Sequence, residues 1–186
     1  MAYITYFPHR TKGHEKRTLH TSLFSSIRDC SIRQRVEHYL EASIGTDYHL
    51  LNDCFGHDVI IYEKDKFVAR VNSSCISLKN FEITKLYNQW NPSGEWRAIG
   101  KPLIQWKRCE SNSLRLKLSN GSVATVKETY GPNILSTLLN KLLGIKIDGQ
   151  EDTIRIDFVE GEFDTLLAYC LIAVEISDKL SRDSMG

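Results

Sequence analysis

The densest group of reactive side chains lies in residues 52–58, with the sequence NDCFGHD. A thiol close to an imidazole is the pair that nucleophilic cysteine enzymes use, and Cys, His and Asp are also zinc ligands. Cys54 and His57 would supply only half of a zinc site, however, and no second Cys/His pair completes it. Asn, Asp and Gly are typical turn residues. The sequence therefore favours a turn over a catalytic or metal-binding segment.

A second group of ionisable residues is acidic and precedes the C-terminal apolar segment. It comprises Asp157, Glu160, Glu162 and Asp164, which lack the spacing of a calcium-binding loop. Carboxylates before a helix are favoured by the helix dipole, so we interpret them as capping residues. Phosphate-binding loops and hydrolase or kinase signatures are absent from the sequence. We predict no catalytic residue, no metal ligand, no cofactor and no enzymatic activity.

Charge is segregated along a chain whose net charge is only +1, which gives no reason to expect a nucleic-acid partner. Residues 97–147 contain nine basic and two acidic residues, whereas residues 148–186 have a net charge of −7. Arg binds phosphate bidentately and Lys acts as a point charge. Tryptophans flank the basic segment, and Trp is common at lipid headgroup interfaces. The predicted phosphate- or headgroup-binding residues are Arg97, Lys101, Lys107, Arg108, Arg115 and Lys117.

Strands must bring these basic residues together. After Gly45, short runs of β-branched and aromatic residues alternate with turn residues, which predicts an antiparallel sheet or barrel. Residues 114–118, LRLKL, alternate as in a strand with one buried face. Asn120-Gly121 favours a type I′ turn in a hairpin. The alternative to a binding wall is that the basic residues are solvated positions facing the acidic C-terminal block.

The N-terminal residues differ in character. About the first 20 are polar and aperiodic, which predicts a mobile arm with one strand at Tyr3 to Phe7. From Ser25 to Ala42, apolar residues recur at three- and four-residue steps behind a serine cap, which predicts an amphipathic helix. We therefore divide the chain into an N-terminal arm and helix, residues 1–45, and a β-barrel domain, residues 46–186.

The C-terminal segment is apolar on every side from Leu166 to Val174. A helix of this kind must be surrounded by lipid or by protein. Its nine apolar residues fall short of the number that spans a bilayer. We therefore expect a helix enclosed by a sheet that closes around it, and no transmembrane segment.

The cysteines and the N-terminal residues indicate the cellular compartment of the protein. The five cysteines form no C-x-x-C pair, so reduced thiols are expected. The first residues lack the pattern of a secretory signal peptide. We predict a cytoplasmic protein.

The order of hairpins followed by one buried C-terminal helix resembles the LURP-one-related proteins and, more distantly, the tubby C-terminal domain and the phospholipid scramblases. The resemblance covers about Asp47 to Ser181. It rests on YHLLNDCFGHDVIIY, FVARVNSSCISLKNFEIT, SNSLRLKLSNGSVATV and TIRIDFVEGEFDTLLAYCLIAVEISDKL. It implies a mainly β fold with α (α+β): a closed antiparallel β-barrel of about twelve strands wrapped around the buried C-terminal helix. The N-terminal amphipathic helix is an addition to that pattern.

The resemblance also implies a function without catalysis. Tubby domains read phosphoinositide headgroups, and scramblases act at membranes. We therefore expect a cytoplasmic, peripherally membrane-associated module that binds anionic phospholipid or phosphoinositide through the six basic residues. The alternative is a protein-interaction scaffold, able to self-associate, that binds no lipid.

Overall fold

The computed structural model describes residues 1–11, 35–45, 47–53, 56–78, 82–86, 93–98, 101–109, 113–131 and 152–184. Within these ranges the chain forms twelve strands and one helix. The strands are β1 Ala2–Thr11, β2 Arg35–Ala42, β3 Tyr48–Asp53, β4 Val59–Glu63, β5 Lys66–Val71, β6 Cys75–Leu78, β7 Glu82–Leu86, β8 Ser93–Ala98, β9 Lys101–Cys109, β10 Ser113–Leu118, β11 Val123–Thr129 and β12 Thr153–Phe158. The helix, α1, is Thr165–Asp183.

Every strand pairs antiparallel with its neighbour in sequence, and β1 also pairs with β12. The pairings therefore run from β1 through β12, β11 and onward to β2, and return to β1. We call this arrangement the ring. Pairing on both sides of each strand satisfies backbone donors and acceptors that an edge strand would leave open.

Strands β2 and β3 are eight and six residues long but pair over only part of their length. Strands β2 and β3 pair only where Arg35–Glu37 face Leu51–Asp53. Beyond these three register pairs, the C-terminal half of β2 and the first residues of β3 are not paired with each other. The sheet is therefore open between these two strands, although the strand order returns on itself.

Helix α1 packs inside the sheet. Every residue from Leu167 to Val174 is buried, as are Ile176 and Ser177. The helix contacts β1, β4, β5, β6 and β12, which lie in different parts of the ring. A side chain on any face of this segment therefore meets apolar atoms, as the uniformly apolar sequence predicts. The prediction of a helix buried on every side is confirmed.

The predicted fold class is nevertheless wrong in two respects. It placed an amphipathic helix at Ser25 to Ala42, whereas Arg35–Ala42 form strand β2. It also required a wall closed all round, whereas the sheet opens between β2 and β3. The rest of the predicted helix, residues 25–34, lies outside the described residues.

Strand β2 forms because its alternate residues suit the two faces of a sheet. His38 is buried and Leu40 packs against the core, whereas Glu41 is exposed. Valine and tyrosine within it favour strands. Apolar residues at positions 36, 39 and 40 also fit a helical spacing, so the pattern is ambiguous over this short length. Pairing with β1 and β3 decides the outcome.

The N-terminal residues are likewise part of the sheet. Strand β1 includes the predicted strand at Tyr3 to Phe7 and pairs with β12 and β2. Its residues Ala2, Ile4 and Tyr6 are buried in the core. Residues 2–11 are therefore not a mobile arm. Whether residues 46–186 fold without them stays a prediction.

The β10–β11 hairpin forms as predicted, but its turn is of another type. Lys117 pairs with Val123, and the Gly121 amide donates to the Leu118 carbonyl at 2.9 Å. Gly121 has φ 90°, whereas Asn120 is not among the residues with positive φ, so the two-residue type I′ turn is excluded. Asn120 instead accepts from the Ser122 amide at 3.0 Å through its side chain.

Candidate functional site

The six predicted basic residues lie on three adjacent strands, β8, β9 and β10. We call them the basic strip. Arg115 and Lys117 are exposed on β10. Being two residues apart, they share one face of the strand, with α-carbons about 7 Å apart. Lys107 on β9 is the direct register partner of Arg115. The sheet thus brings these three positions together on one face.

The other members are spread along the strip. Arg97 pairs in register with Thr84 and Pro102, and Lys101 begins β9. Arg108 is opposite Leu114, which packs against the core, so it is out of line with the row of Lys107 and Arg115. Lys101 and Arg108 are separated by roughly 23 Å along β9 at 3.3 Å per residue. The side chains of the four residues on β8 and β9 lie outside the described part.

Two further basic residues, which the sequence analysis missed, extend this surface. Lys127 on β11 and Arg155 on β12 are register partners. Both pair with Asp157, at 4.0 Å and 2.9 Å respectively. The Arg155 guanidinium also lies 4.0 Å from the centre of the Tyr3 ring. These charges are engaged, whereas Arg115 and Lys117 have no ion-pair partner among the described residues.

Arg155 was missed because it belongs by sequence to the acidic C-terminal block. Only the β11–β12 pairing brings it beside the basic segment.

The tryptophans give less support to an interface. Trp106 is opposite Leu116, which is 1% exposed, so its register position belongs to the core-facing row. Trp90 lies outside the described residues, as does the side chain of Trp96.

The reactive segment at residues 52–58 is described only in part. Asp58 forms a 2.8 Å ion pair with Arg70 on β5. A ring nitrogen of the exposed His57 lies 3.3 Å from the Ser184 hydroxyl, just after α1. Cys54 lies outside the described residues. Both described side chains thus have structural partners.

Of the four acidic residues that precede the body of α1, one caps the helix. Asp164 is the N-cap, and its side chain accepts from the Leu167 amide at 3.0 Å. Glu160 and Glu162 are exposed. Across the part of the chain that is described, no three His, Cys, Asp or Glu residues are grouped closely enough to hold a metal ion. The prediction of capping is confirmed for Asp164 alone, since Asp157 lies on β12 and pairs with Lys127 and Arg155.

A cavity that no sequence motif marked lies between β2 and β3. Its volume is about 320 Å³. It occupies the opening where the two strands diverge, and Tyr169 of α1 lies at its wall. We call it the β2–β3 cleft. No sequence pattern indicates this cleft, because it depends on how far the pairing of two strands extends.

His38 is the most unusual ionisable residue of the cleft. It is 8% exposed, and its Nε2 has no hydrogen-bond partner within the described residues. Burial lowers the pKa of His38 to about 4. The imidazole is therefore neutral at pH 7. Its ring packs edge-on against Tyr6, with centroids 5.4 Å apart.

In the described residues, no helix combines the length and the apolar character needed to cross a membrane. Comparison with family models, with curated proteins and with solved structures gives no match to this chain.

Proposed function

We propose that this chain is a non-enzymatic binding module of the cytoplasm that associates peripherally with anionic phospholipid or phosphoinositide surfaces. The basic strip would make the contact. The sequence resembles the LURP-one-related and tubby-like proteins, and tubby domains read phosphoinositide headgroups. The observation that carries the proposal is the pair Arg115 and Lys117, exposed side by side and without an ion-pair partner among the described residues.

The charge around this pair supports the same proposal. Lys107 is next to Arg115 in register, and Lys127 and Arg155 follow on the adjoining strands. The only acidic residue in this described group of ion pairs is Asp157, which is shared by Lys127 and Arg155. Clustered Lys and Arg residues attract anionic headgroups, each contributing about 1 kcal/mol near the surface. A strip that extends over three strands suits a surface better than it suits a small soluble anion.

The test is sedimentation with vesicles at low salt. Vesicles of phosphatidylcholine alone are compared with vesicles that also contain phosphatidylserine or a phosphoinositide. The anionic vesicles should bind the chain, and Arg115→Glu or Lys117→Glu should each weaken binding about tenfold. Lys66→Glu is the matched control, because Lys66 is exposed on β5, which is distant from β10 in the strand order.

Two results would contradict the proposal. One is binding that does not increase with anionic lipid, and the other is an equal loss in Lys66→Glu. In either case, a solution mass by light scattering above the 21.3 kDa of one chain would favour the alternative, a self-associating interaction scaffold.

A further inference from the structure

The β2–β3 cleft is large enough to hold a small molecule. Its volume of about 320 Å³ is in the range of pockets that hold small ligands. Leu40, Ala42 and Ile44 supply aliphatic surface, and Tyr48 and Tyr169 supply aromatic surface. The two tyrosine rings are 4.9 Å apart, centre to centre, with planes inclined by 56°. Polar groups make up most of the cleft surface, and these five side chains give it an apolar part against which a short alkyl chain can pack.

The charges that line the cleft are negative. Glu37 and Asp47 both border it, and no Lys or Arg is among its described lining residues. Lys64 pairs with Asp47 at 3.6 Å from outside, but its side chain is 76% exposed. An exposed ion pair of this kind contributes little, so a ligand can replace it. Glu37 is 3.2 Å from His49 Nδ1.

More distant groups add to this negative field. Burial raises the pKa of Tyr48, and the charges of Glu63 and Asp164 raise it further. Asp164 also caps the positive end of α1, whose first turns approach the cleft through Tyr169. An anionic ligand would meet carboxylates on several sides, whereas a cation would be stabilised by them and by the faces of the tyrosine rings.

A metal ion is a poor candidate for this cation. Metal sites need several closely grouped ligands, and the described residues contain no such group of His, Cys, Asp or Glu. The neutral, buried His38 adds a polar atom, Nε2, that lacks a hydrogen-bond partner within the described residues. A neutral imidazole can accept a hydrogen bond from an N–H group through one of its ring nitrogens. These features together favour a ligand with N–H donors and a hydrocarbon body.

We propose that the β2–β3 cleft is a binding site for a small protonated aliphatic amine. The ammonium group lies between Glu37 and Asp47, next to the tyrosine rings. The alkyl chain packs against the aliphatic residues of β2 and the following loop. This site is distinct from the basic strip, since β2 and β3 do not pair with β8, β9 or β10.

The test is an NMR titration of the full chain with hexylammonium, alongside hexanol and hexanoate as ligands of similar size but different charge. Hexylammonium should shift amide signals of β2 and β3 in a saturable manner, and the other two should bind at least about tenfold more weakly. Glu37→Gln and Asp47→Asn should each weaken hexylammonium binding by about five- to tenfold. Tyr48→Leu should weaken it by about threefold or more.

Glu82→Gln is the matched control for loss of one carboxylate, because Glu82 is exposed on β7, away from the cleft. It should leave binding unchanged. Asp47, whose side chain is 65% exposed, can lose its charge without disturbing the core, so it serves if Glu37→Gln does not fold. The proposal is overturned if hexylammonium does not bind, if hexanol binds equally well, or if Asp47→Asn has no effect.

Discussion

His38 and Cys170 are both buried ionisable residues. His38 is 8% exposed and Cys170 is 0% exposed. Burial raises the pKa of the Cys170 thiol far above its usual range and lowers that of His38. Both shifts disfavour the charged form. Cys170 is therefore an inert core residue, as its position in an apolar segment predicts, whereas the environment of His38 could not be predicted because it depends on the misassigned β2.

The buried His38 should make the protein less stable in mild acid. The unfolded chain takes up a proton near pH 6.5, but the folded chain does so only near the pKa of about 4. Its contribution is thus complete above pH 6.5 and is lost as the pH falls toward 4. Going from pH 7.5 to 5 should lower the free energy of unfolding by about 2 kcal/mol through this residue.

Urea unfolding at the two pH values measures this effect. The loss between pH 7.5 and 5 should become smaller by that amount in His38→Gln. It should persist in His57→Asn, because His57 is exposed. An equal pH dependence in the wild type and His38→Gln would contradict the assignment of His38 as the buried neutral histidine.

A substitution at Gly121 tests the conformation of the turn between β10 and β11. Its φ of 90° strains any residue with a Cβ, although an added Cβ would meet no atom within 4 Å. Gly121→Ala should therefore cost about 1 kcal/mol of unfolding free energy through the backbone alone. Gly45→Ala has equally open surroundings without a positive φ and should cost much less. Equal effects of the two substitutions in urea unfolding would count against a backbone origin.

At the scale of elements, hydrophobic periodicity predicts the correct secondary structure where only one period fits the sequence. The alternation in β10 and the apolar run of α1 each fit one structure, and both form as predicted. Residues 36–40 fit two periods, and long-range pairing selected the strand. The turn after β10 was predicted from Asn-Gly alone, yet the backbone uses only the glycine in a positive-φ conformation. A local sequence pattern therefore identifies a helix or a strand reliably only when it fits one of the two. Where it fits both, pairing with neighbouring strands decides.

Helix α1 should depend measurably on its N-cap. The Asp164 side chain accepts from the Leu167 amide, which would otherwise lack an intrahelical partner. Asp164→Ala should lower the free energy of unfolding by about 1 kcal/mol, and Asp164→Asn by much less, since Asn also caps helices. Glu162→Ala, an exposed change outside the cap, is the control. Losses that are equal in Asp164→Asn and Asp164→Ala would argue that charge, and not capping, is responsible.

At the scale of the whole molecule, the basic strip can be predicted from the sequence, whereas the β2–β3 cleft cannot. The segregated charges pointed to the strip, because Arg115 and Lys117 lie on a strand whose alternation is plain. The cleft needs the divergence of β2 from β3 and the approach of Tyr169, which is more than 100 residues away in sequence. Neither has a local pattern, so the sequence alone could not reveal it.

The predicted domain boundary at residue 45 can be tested by removing residues 1–45. Strand β1 links β12 to β2, and β2 links β1 to β3, so removing residues 1–45 leaves β12 and β3 as open edges. It also removes the buried side chains of Ala2, Ile4 and Tyr6 from the core around α1. Lost apolar burial on this scale, at about 25 cal/mol per Å², rivals the total stability of a small domain.

We therefore expect residues 46–186 alone to lose cooperative unfolding in urea, to bind the dye ANS and to lose near-UV circular dichroism, while the full chain in the same buffer shows a single sharp transition. A fragment that instead unfolds cooperatively, with a native near-UV spectrum, would restore the boundary. It would then follow that β1 and β2 add to a core that α1 and β3–β12 can form without them.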